Sequence, residues 1–174
     1  TEFVEIELAE PMEVEKAALA LDAALPRGIR VLAADAVDTH HAALMSQAAG
    51  ASYRVTLPYS KDVSAAVAEF NAAPELLFKK AAPKTKAKFK EIDVKFYIPQ
   101  LTAEQTETET IFSFDCKITP TGSMKAVDLL NALNEQYGLA LPVEMADIER
   151  LRLYRNNKNG KPIPMLKSDA VTLG

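Results

Sequence analysis

The sequence predicts an α+β fold of tandem β-α-β units of the ferredoxin-like, split β-α-β kind, with antiparallel sheets and helices on one face. Three observations carry that expectation. Runs with an apolar period of two flank runs with an apolar period near 3.6, and this order recurs near residues 3–37, 52–80 and 110–154. Pro and Gly punctuate the joins: Pro26-Arg27-Gly28, Pro74 and Gly138 each come after a helical run. Hydrophobic residues make up 48% and charged residues 25% of the 174 residues, enough apolar side chain for a sizeable core.

Val4, Ile6 and Leu8 alternate with Glu5 and Glu7, the pattern of a half-buried strand. After Pro11, the residues Val14, Ala17, Ala18, Leu21 and Leu25 share one helical face. Ile29 and Val31 begin a second strand, and His40 to Ala49 read as a short helix before Gly50. Tyr53, Val55 and Leu57 alternate with Arg54 and Thr56; Val63, Ala66, Val67 and Phe70 form the next helical face; Leu76, Leu77 and Phe78 form the returning strand. Ile92, Val94, Phe96 and Ile98 alternate with Asp93, Lys95 and Tyr97, which predicts a further strand. Residues 102–109, rich in Thr and Glu, read as a turn or loop. Phe112, Phe114, Cys116 and Ile118 mark a strand. Ser123 can cap a helix running to about Tyr137, with Val127, Leu130, Leu133 and Tyr137 inward. A last strand near 148–154 alternates Leu151 and Leu153 with Arg150 and Arg152.

These elements divide the chain into three stretches. Residues 1–50 read as the second half of a truncated first β-α-β repeat, 51–155 as a ferredoxin-like domain with a basic hairpin, and 156–174 as a tail or linker. No apolar run approaches a membrane span, so a membrane partner is not expected. The opening Thr-Glu-Phe-Val-Glu-Ile-Glu is acidic and alternating, unlike a cleavable signal peptide, and the single Cys116 has no partner within the sequence. Together these point to the cytoplasm.

No catalytic constellation is readable, and no cofactor is expected. The six glycines are not clustered into a phosphate loop. Without a Cys-x-x-Cys pattern the chain offers no thiolate set for an iron–sulfur cluster. His40 and His41, with Asp38, are the one histidine cluster, but adjacent residues point in different directions, and exposed loop residues are the simpler reading. Cys116 shares a strand face with Phe112, Phe114 and Ile118, which favours a buried thiol over a nucleophile. Ser46, Gln47 and Arg54 fit local capping and solvent better than a polar pocket, and Glu5 with Glu7 fits a solvated sheet face better than an acid–base pair.

Charge is more informative. The net charge of −4 is unevenly spread: residues 79–95 hold Lys79, Lys80, Lys84, Lys86, Lys88, Lys90 and Lys95 against Glu91 and Asp93, a segment of +5 in a body of −9. Lys84, Lys86, Lys88 and Lys90 have strand spacing, roughly 6–7 Å apart on one face. Such a row can track the phosphates of an extended nucleic-acid strand, with Phe89 and Tyr97 as stacking surface. It can equally protect an edge strand from aggregation. The lysines share even parity with Ile92, Val94, Phe96 and Ile98, so either the lysine end projects as an arm or a bulge near Glu91 turns the face.

Four stretches carry a family resemblance: Glu2-Phe-Val-Glu-Ile-Glu-Leu-Ala-Glu-Pro11, Asp22 to Leu32 (Asp-Ala-Ala-Leu-Pro-Arg-Gly-Ile-Arg-Val-Leu), Ala43 to Thr56 (Ala-Leu-Met-Ser-Gln-Ala-Ala-Gly-Ala-Ser-Tyr-Arg-Val-Thr) and Gly122-Ser-Met-Lys125. Their order and spacing resemble an uncharacterised bacterial domain family described as radical-SAM-linked, over most of residues 1–155. The resemblance implies a radical-SAM protein as partner; taken with the basic hairpin, it leads to the expectation of an accessory module that binds tRNA or rRNA for a modifying enzyme. A docking domain that holds the partner without nucleic acid is the alternative it leaves open. Members usually begin with a further segment, about one β-α-β unit long, bearing a His-Leu-Asp and a Gln-Gly-Phe-Asn-Pro-His-Pro stretch. Neither is in this sequence, so no functional residue is carried over from them, and an enzyme with its site in that segment is a third reading.

Overall fold

The computed structural model describes residues 2–38, 40, 42–81, 88–167 and 169–173, with the side chain of Ala81 left out. Its elements run α1 (Val14–Ala24), β1 (Ala33–Ala34), β2 (Ala48–Pro58), α2 (Ser64–Ala72), β3 (Leu77–Ala81), β4 (Phe89–Asp93), α3 (Val94–Tyr97), β5 (Leu101–Gln105), β6 (Glu109–Thr119), β7 (Gly122–Ser123), α4 (Ala126–Tyr137), β8 (Asp147–Asn156), β9 (Pro162–Pro164) and β10 (Val171–Thr172). This is an α+β fold with antiparallel sheet. The chain falls into two compact units, 48–154 and 2–47 with 155–174.

The 48–154 unit is built on β2 and β6, paired antiparallel from Gly50↔Lys117 to Pro58↔Glu109. β6 also pairs with β5, from Leu101↔Phe114 to Gln105↔Thr110, and β8 lies on the far side of β2. With the β3–β4 hairpin, the single turn α3 and the two-residue β7 set aside, the order from β2 to β8 along the chain is β-α-β-β-α-β, and these strands lie across the sheet as β5-β6-β2-β8. Val55 and Leu57 of β2 and Phe112, Phe114 and Cys116 of β6 are buried with Ala66 and Phe70 of α2 and Leu129, Leu130 and Leu133 of α4. Tyr53 and Phe114 stack at 5.5 Å across the pair. The alternate residues Arg54, Asp115 and Lys117 are exposed, as a sheet with one solvated face requires.

Side-chain amides fasten each helix to the chain beyond it. Asn71, in α2, donates to the Leu101 carbonyl (2.8 Å) and accepts from its N–H (2.9 Å). Asn134, in α4, does the same for Leu141 at 3.0 and 2.7 Å. α4 ends at Gly138, whose φ of 58° is left-handed and suits a residue without a Cβ. Gly50 lies under the Tyr154 ring, which leaves no room there for a side chain.

The unit of residues 2–47 and 155–174 has little regular structure. Asp22, on α1, accepts from Arg30 Nε (2.9 Å) and from the Val31 N–H (2.8 Å), tying the chain after Gly28 back to the helix. The Arg30 hydrogen bond, with that of Val31, holds the Asp22 carboxyl below its usual range. β1 pairs antiparallel with β10, Ala33 opposite Thr172, and the Leu173 N–H donates to the Leu32 carbonyl. Asn157 Oδ1 accepts from the N–H of Asn159 and of Lys161 at 2.9 Å, forming the turn before β9.

Several expected elements come out differently. Val4, Ile6 and Leu8 form no strand and are 74%, 56% and 46% exposed, since no described segment pairs with them. The strand expected at Ile29 and Val31 is reduced to β1, two residues further on. Residues 102–109, expected as a loop, contain β5 and only then a turn. The expected strand from Ile92 to Ile98 stops at Asp93, whose carboxylate caps a single helical turn by accepting from the Lys95 N–H at 3.0 Å. The short helix expected from His40 to Ala49 is a 3-10 turn, Leu44–Gln47, leading into β2. α4 begins at Ala126 rather than at a Ser123 cap, because Ser123 is taken into β7. Residues 156–174 carry β9 and β10.

Asn71 is the cheapest test of this architecture. Replacing it with Ala strands the N–H and C=O of Leu101, which is fully buried, and should cost about 1–3 kcal/mol in urea unfolding. Asn71→Asp keeps an acceptor for the Leu101 N–H and should cost less.

Candidate nucleic-acid interface

The basic segment folds as the β3–β4 hairpin. Its register places Leu77 opposite Asp93, Phe78 opposite Ile92, Lys79 opposite Glu91, Lys80 opposite Lys90 and Ala81 opposite Phe89. One face, with Phe78 and Ile92, turns toward the core, and the other carries Leu77, Lys79, Phe89 and Glu91. Asp93 secures the base: its Oδ1 accepts from the Leu76 N–H (3.1 Å) as well as from Lys95, and the Val94 N–H donates to the Leu76 carbonyl (2.8 Å).

The predicted site residues divide into three groups. Lys84 and Lys86 lie outside the described residues. Lys80 and Lys95 are held by the fold. Lys80 and Lys90 face each other, and like charges so placed repel. The repulsion is offset because Lys80 Nζ sits 2.6 Å from Asp128 of α4, both side chains being largely buried. Lys95 Nζ donates to the carbonyls of Phe70 (2.9 Å) and Pro99 (2.6 Å) and lies 4.4 Å from the Phe70 ring centroid. It thus satisfies the open end of α2, and burial of the ammonium pushes its pKa below the usual lysine value.

The third group is exposed: Lys79, Lys88, Lys90 and Phe89, the last 60% exposed. Lys79 and Phe89 share the outer face, while Lys90 lies on the other. β4 is regular from Phe89 to Asp93, with no bulge near Glu91 in its pairing. The change comes earlier, at Lys88, whose φ of 58° is left-handed. That left-handed residue immediately precedes the regular pairing of β4. Tyr97 is buried in the core and offers no stacking surface, but Phe96 beside it is 51% exposed, with Lys117 Nζ 5.3 Å from its ring centroid.

The other residues singled out have local partners. Asp38 accepts from the His40 N–H (2.8 Å), and His41 is outside the described residues. No cluster of three or more His, Cys, Asp or Glu able to hold a metal occurs among the described residues. Ser46 donates to Ala43 O, Gln47 to Ala42 O, and Arg54 pairs with Glu149 at 3.7 Å. Glu5 accepts from the Leu44 N–H at 3.0 Å. Cys116 is 1% exposed, and burial pushes its thiol up from the usual 9.0. A cluster that sequence reasoning missed lies on the solvated sheet face: Ser52 donates to Asp115, and Arg152 Nη2 reaches Ser52 Oγ at 3.3 Å. These residues come from three strands far apart in sequence, so no local spacing announces them.

Fold and site together define an α+β domain that presents an exposed basic hairpin. The chain belongs to a family of uncharacterised proteins conserved in bacteria (DUF2344), whose model matches residues 1–129, a span that includes the hairpin. No curated protein and no solved structure matches the chain. Among the described residues, no helix is long and apolar enough to cross a membrane.

Two measurements check this geometry. A double-mutant cycle with Lys80→Met and Asp128→Asn should give a coupling of the order of 1 kcal/mol, more than exposed pairs usually give. Cys116 should resist iodoacetamide in the folded protein near neutral pH and react on unfolding. Because its folded pKa is raised, the stability it contributes is complete below the unfolded value and is lost as pH rises through the folded one. Unfolding free energy should therefore fall on the alkaline side of 9, and less so in Cys116→Ala.

Proposed function

We propose that the domain is an accessory module that binds RNA (tRNA or rRNA) through the β3–β4 hairpin for a radical-SAM modifying enzyme. The observation that carries this reading is Phe89: an aromatic ring 60% exposed on a regular strand, between Lys88 and Lys90 and on the same face as Lys79. An exposed ring beside ammonium groups suits an unpaired base stacked on the ring with its phosphates close to the lysines. Lys84 and Lys86 belong to the same basic stretch of the sequence. The enzyme partner rests on the family resemblance carried by the four stretches that begin at Glu2, Asp22, Ala43 and Gly122, and the cytoplasm is where such a substrate is met.

Docking to the radical-SAM partner without nucleic acid is the second reading. Leu77, 52% exposed on the face of Phe89, favours it, since an apolar residue there adds nothing to phosphate binding.

Binding of bulk tRNA and rRNA at several salt concentrations separates the two. With at least three lysines engaged, log K against log salt should have a slope of about −2 or steeper. Changing Lys79, Lys84, Lys86, Lys88 and Lys90 to Glu should flatten it. Phe89→Ala should weaken binding by about 1–3 kcal/mol and leave the slope nearly unchanged. Absence of binding at low salt, or binding indifferent to the charge reversal, would refute the RNA reading and leave docking.

A further inference from the structure

The outer edge of β5 is the second surface with unused recognition chemistry. β5 is the last strand of the order β5-β6-β2-β8 and pairs on one side only. At Leu101 the side away from β6 is filled by Asn71, whose amide donates to the carbonyl and accepts from the N–H as a neighbouring strand would. Backbone groups alternate in direction along an antiparallel strand. Since those of Leu101 point away from β6, so do those of Ala103 and Gln105. No described residue takes up the outward groups of Ala103.

Beside this edge runs an open groove of about 500 Å³, lined by Val63, Ser64, Val67 and Ala68 from the α2 side and by Ala103 and Gln105 from β5. Val67 and Ala103 are only partly buried, because Ala103 is too small to fill the space between strand and helix. Leu101-Thr-Ala-Glu-Gln105 contains neither Pro nor Lys, and Glu104 is its one charged residue. Glu104, Asp62 and Glu107 are exposed around it against the one ammonium of Lys61, which donates to the Gly138 carbonyl, so these four groups sum to −2.

We propose that the free edge of β5 is a docking site for an extended segment of a partner protein, apolar where it pairs with Ala103 and basic at the residues on either side. Directly opposed residues of paired strands point to the same face. The residue opposite Ala103 therefore sends its side chain into the groove of Val63, Val67 and Ala68. Its neighbours point to the other face, beside Glu104, where lysine or arginine is favoured. Main-chain bonds supply affinity, and the groove and Glu104 supply selectivity. Asn71 closes one end, so pairing starts at Ala103 and ends at Gln105, where the chain turns into β6. A second copy fits poorly, because its β5 would bring another Glu104 to an edge that is already acidic. This site is separate from the hairpin and does not depend on the RNA reading.

The test uses the full chain and a fluorescein-labelled heptapeptide with Leu or Val at alternate positions and Lys between them, followed by anisotropy. Wild type should bind, and amide exchange at Ala103 should slow in the complex. Ala103→Pro removes the outward N–H at a position where an edge strand tolerates Pro, and should weaken binding roughly tenfold. Ala68→Arg, on an exposed helix position, fills the groove without touching the core and should do the same. Glu104→Lys should reverse the preference toward a Glu-substituted peptide. tRNA binding should be unchanged by all three, so failure of this proposal and of the RNA reading are distinct results. No peptide binding by the folded wild type, or equal binding by Ala68→Arg, overturns the proposal. So does a concentration-dependent dimer abolished by Ala68→Arg, which would give the edge to a second copy.

Discussion

The antiparallel pairing of β2 with β6 is the constraint on which the rest of the 48–154 unit depends. It fixes Val55 and Leu57 beside Phe112, Phe114 and Cys116 on one face, and Arg54, Ser113 and Asp115 on the other. A slip of one residue would exchange the faces of one strand and carry a charge into the core. Thr110 is the one buried polar residue among the described residues, and its hydroxyl accepts from Gln105 Nε2 at 2.9 Å. Both helical crossovers then have a single place to bury their apolar stripes, with β5 pairing the free side of β6 and β8 the free side of β2.

That central pair, with α2 and α4, was legible because each keeps one apolar period over its length. The elements that were not legible fail for specific reasons. β5 has Ala103 as its only inward residue between Leu101 and Gln105, so its alternation is faint and its Thr and Glu read as loop. At residues 92–98 two periods coexist: Ile92, Val94, Phe96 and Ile98 alternate, but Val94, Tyr97 and Ile98 are also spaced as a helical turn. The structure buries the second set and leaves Phe96 exposed, with Asp93 as cap deciding the matter. Val4, Ile6 and Leu8 show the opposite failure, a clear strand pattern with no strand beside it among the described residues. A period of two states that a segment can pair, and the partner has to come from elsewhere.

The same limit governs the site. A lysine in a sequence contributes a charge whose use depends on residues far away. Lys80 is spent on Asp128, and Lys95 on the carbonyl groups at the end of α2. Neither assignment has a local signature, so counting charge overstates the basic surface. What remains, Lys79, Lys88 and Lys90 around Phe89, is smaller: Phe89 and Lys90 stand on β4, Lys88 just before it, and Lys79 on β3, on the face of Phe89. Lys88 is left-handed and stands just before β4.

The position of the hairpin in the chain explains how such a surface coexists with a well-packed domain. It is inserted in the crossover between α2 and β5, and among the described residues β3 and β4 pair only with each other. No ladder bond of the main sheet runs through it, so its outer residues can change charge without disturbing the β2–β6 register. Its attachment is correspondingly compact. Phe78 and Ile92 pack onto the core, Asp93 ties Leu76 to Lys95, and Lys80 reaches Asp128 in the first turn of α4. Asp128 also accepts from the Lys125 N–H at 3.4 Å, so one carboxylate serves both the start of α4 and the inner face of the hairpin. The two lysines that do not face solvent are therefore part of what holds the others out: they orient the hairpin, and the exposed set is left to meet a partner.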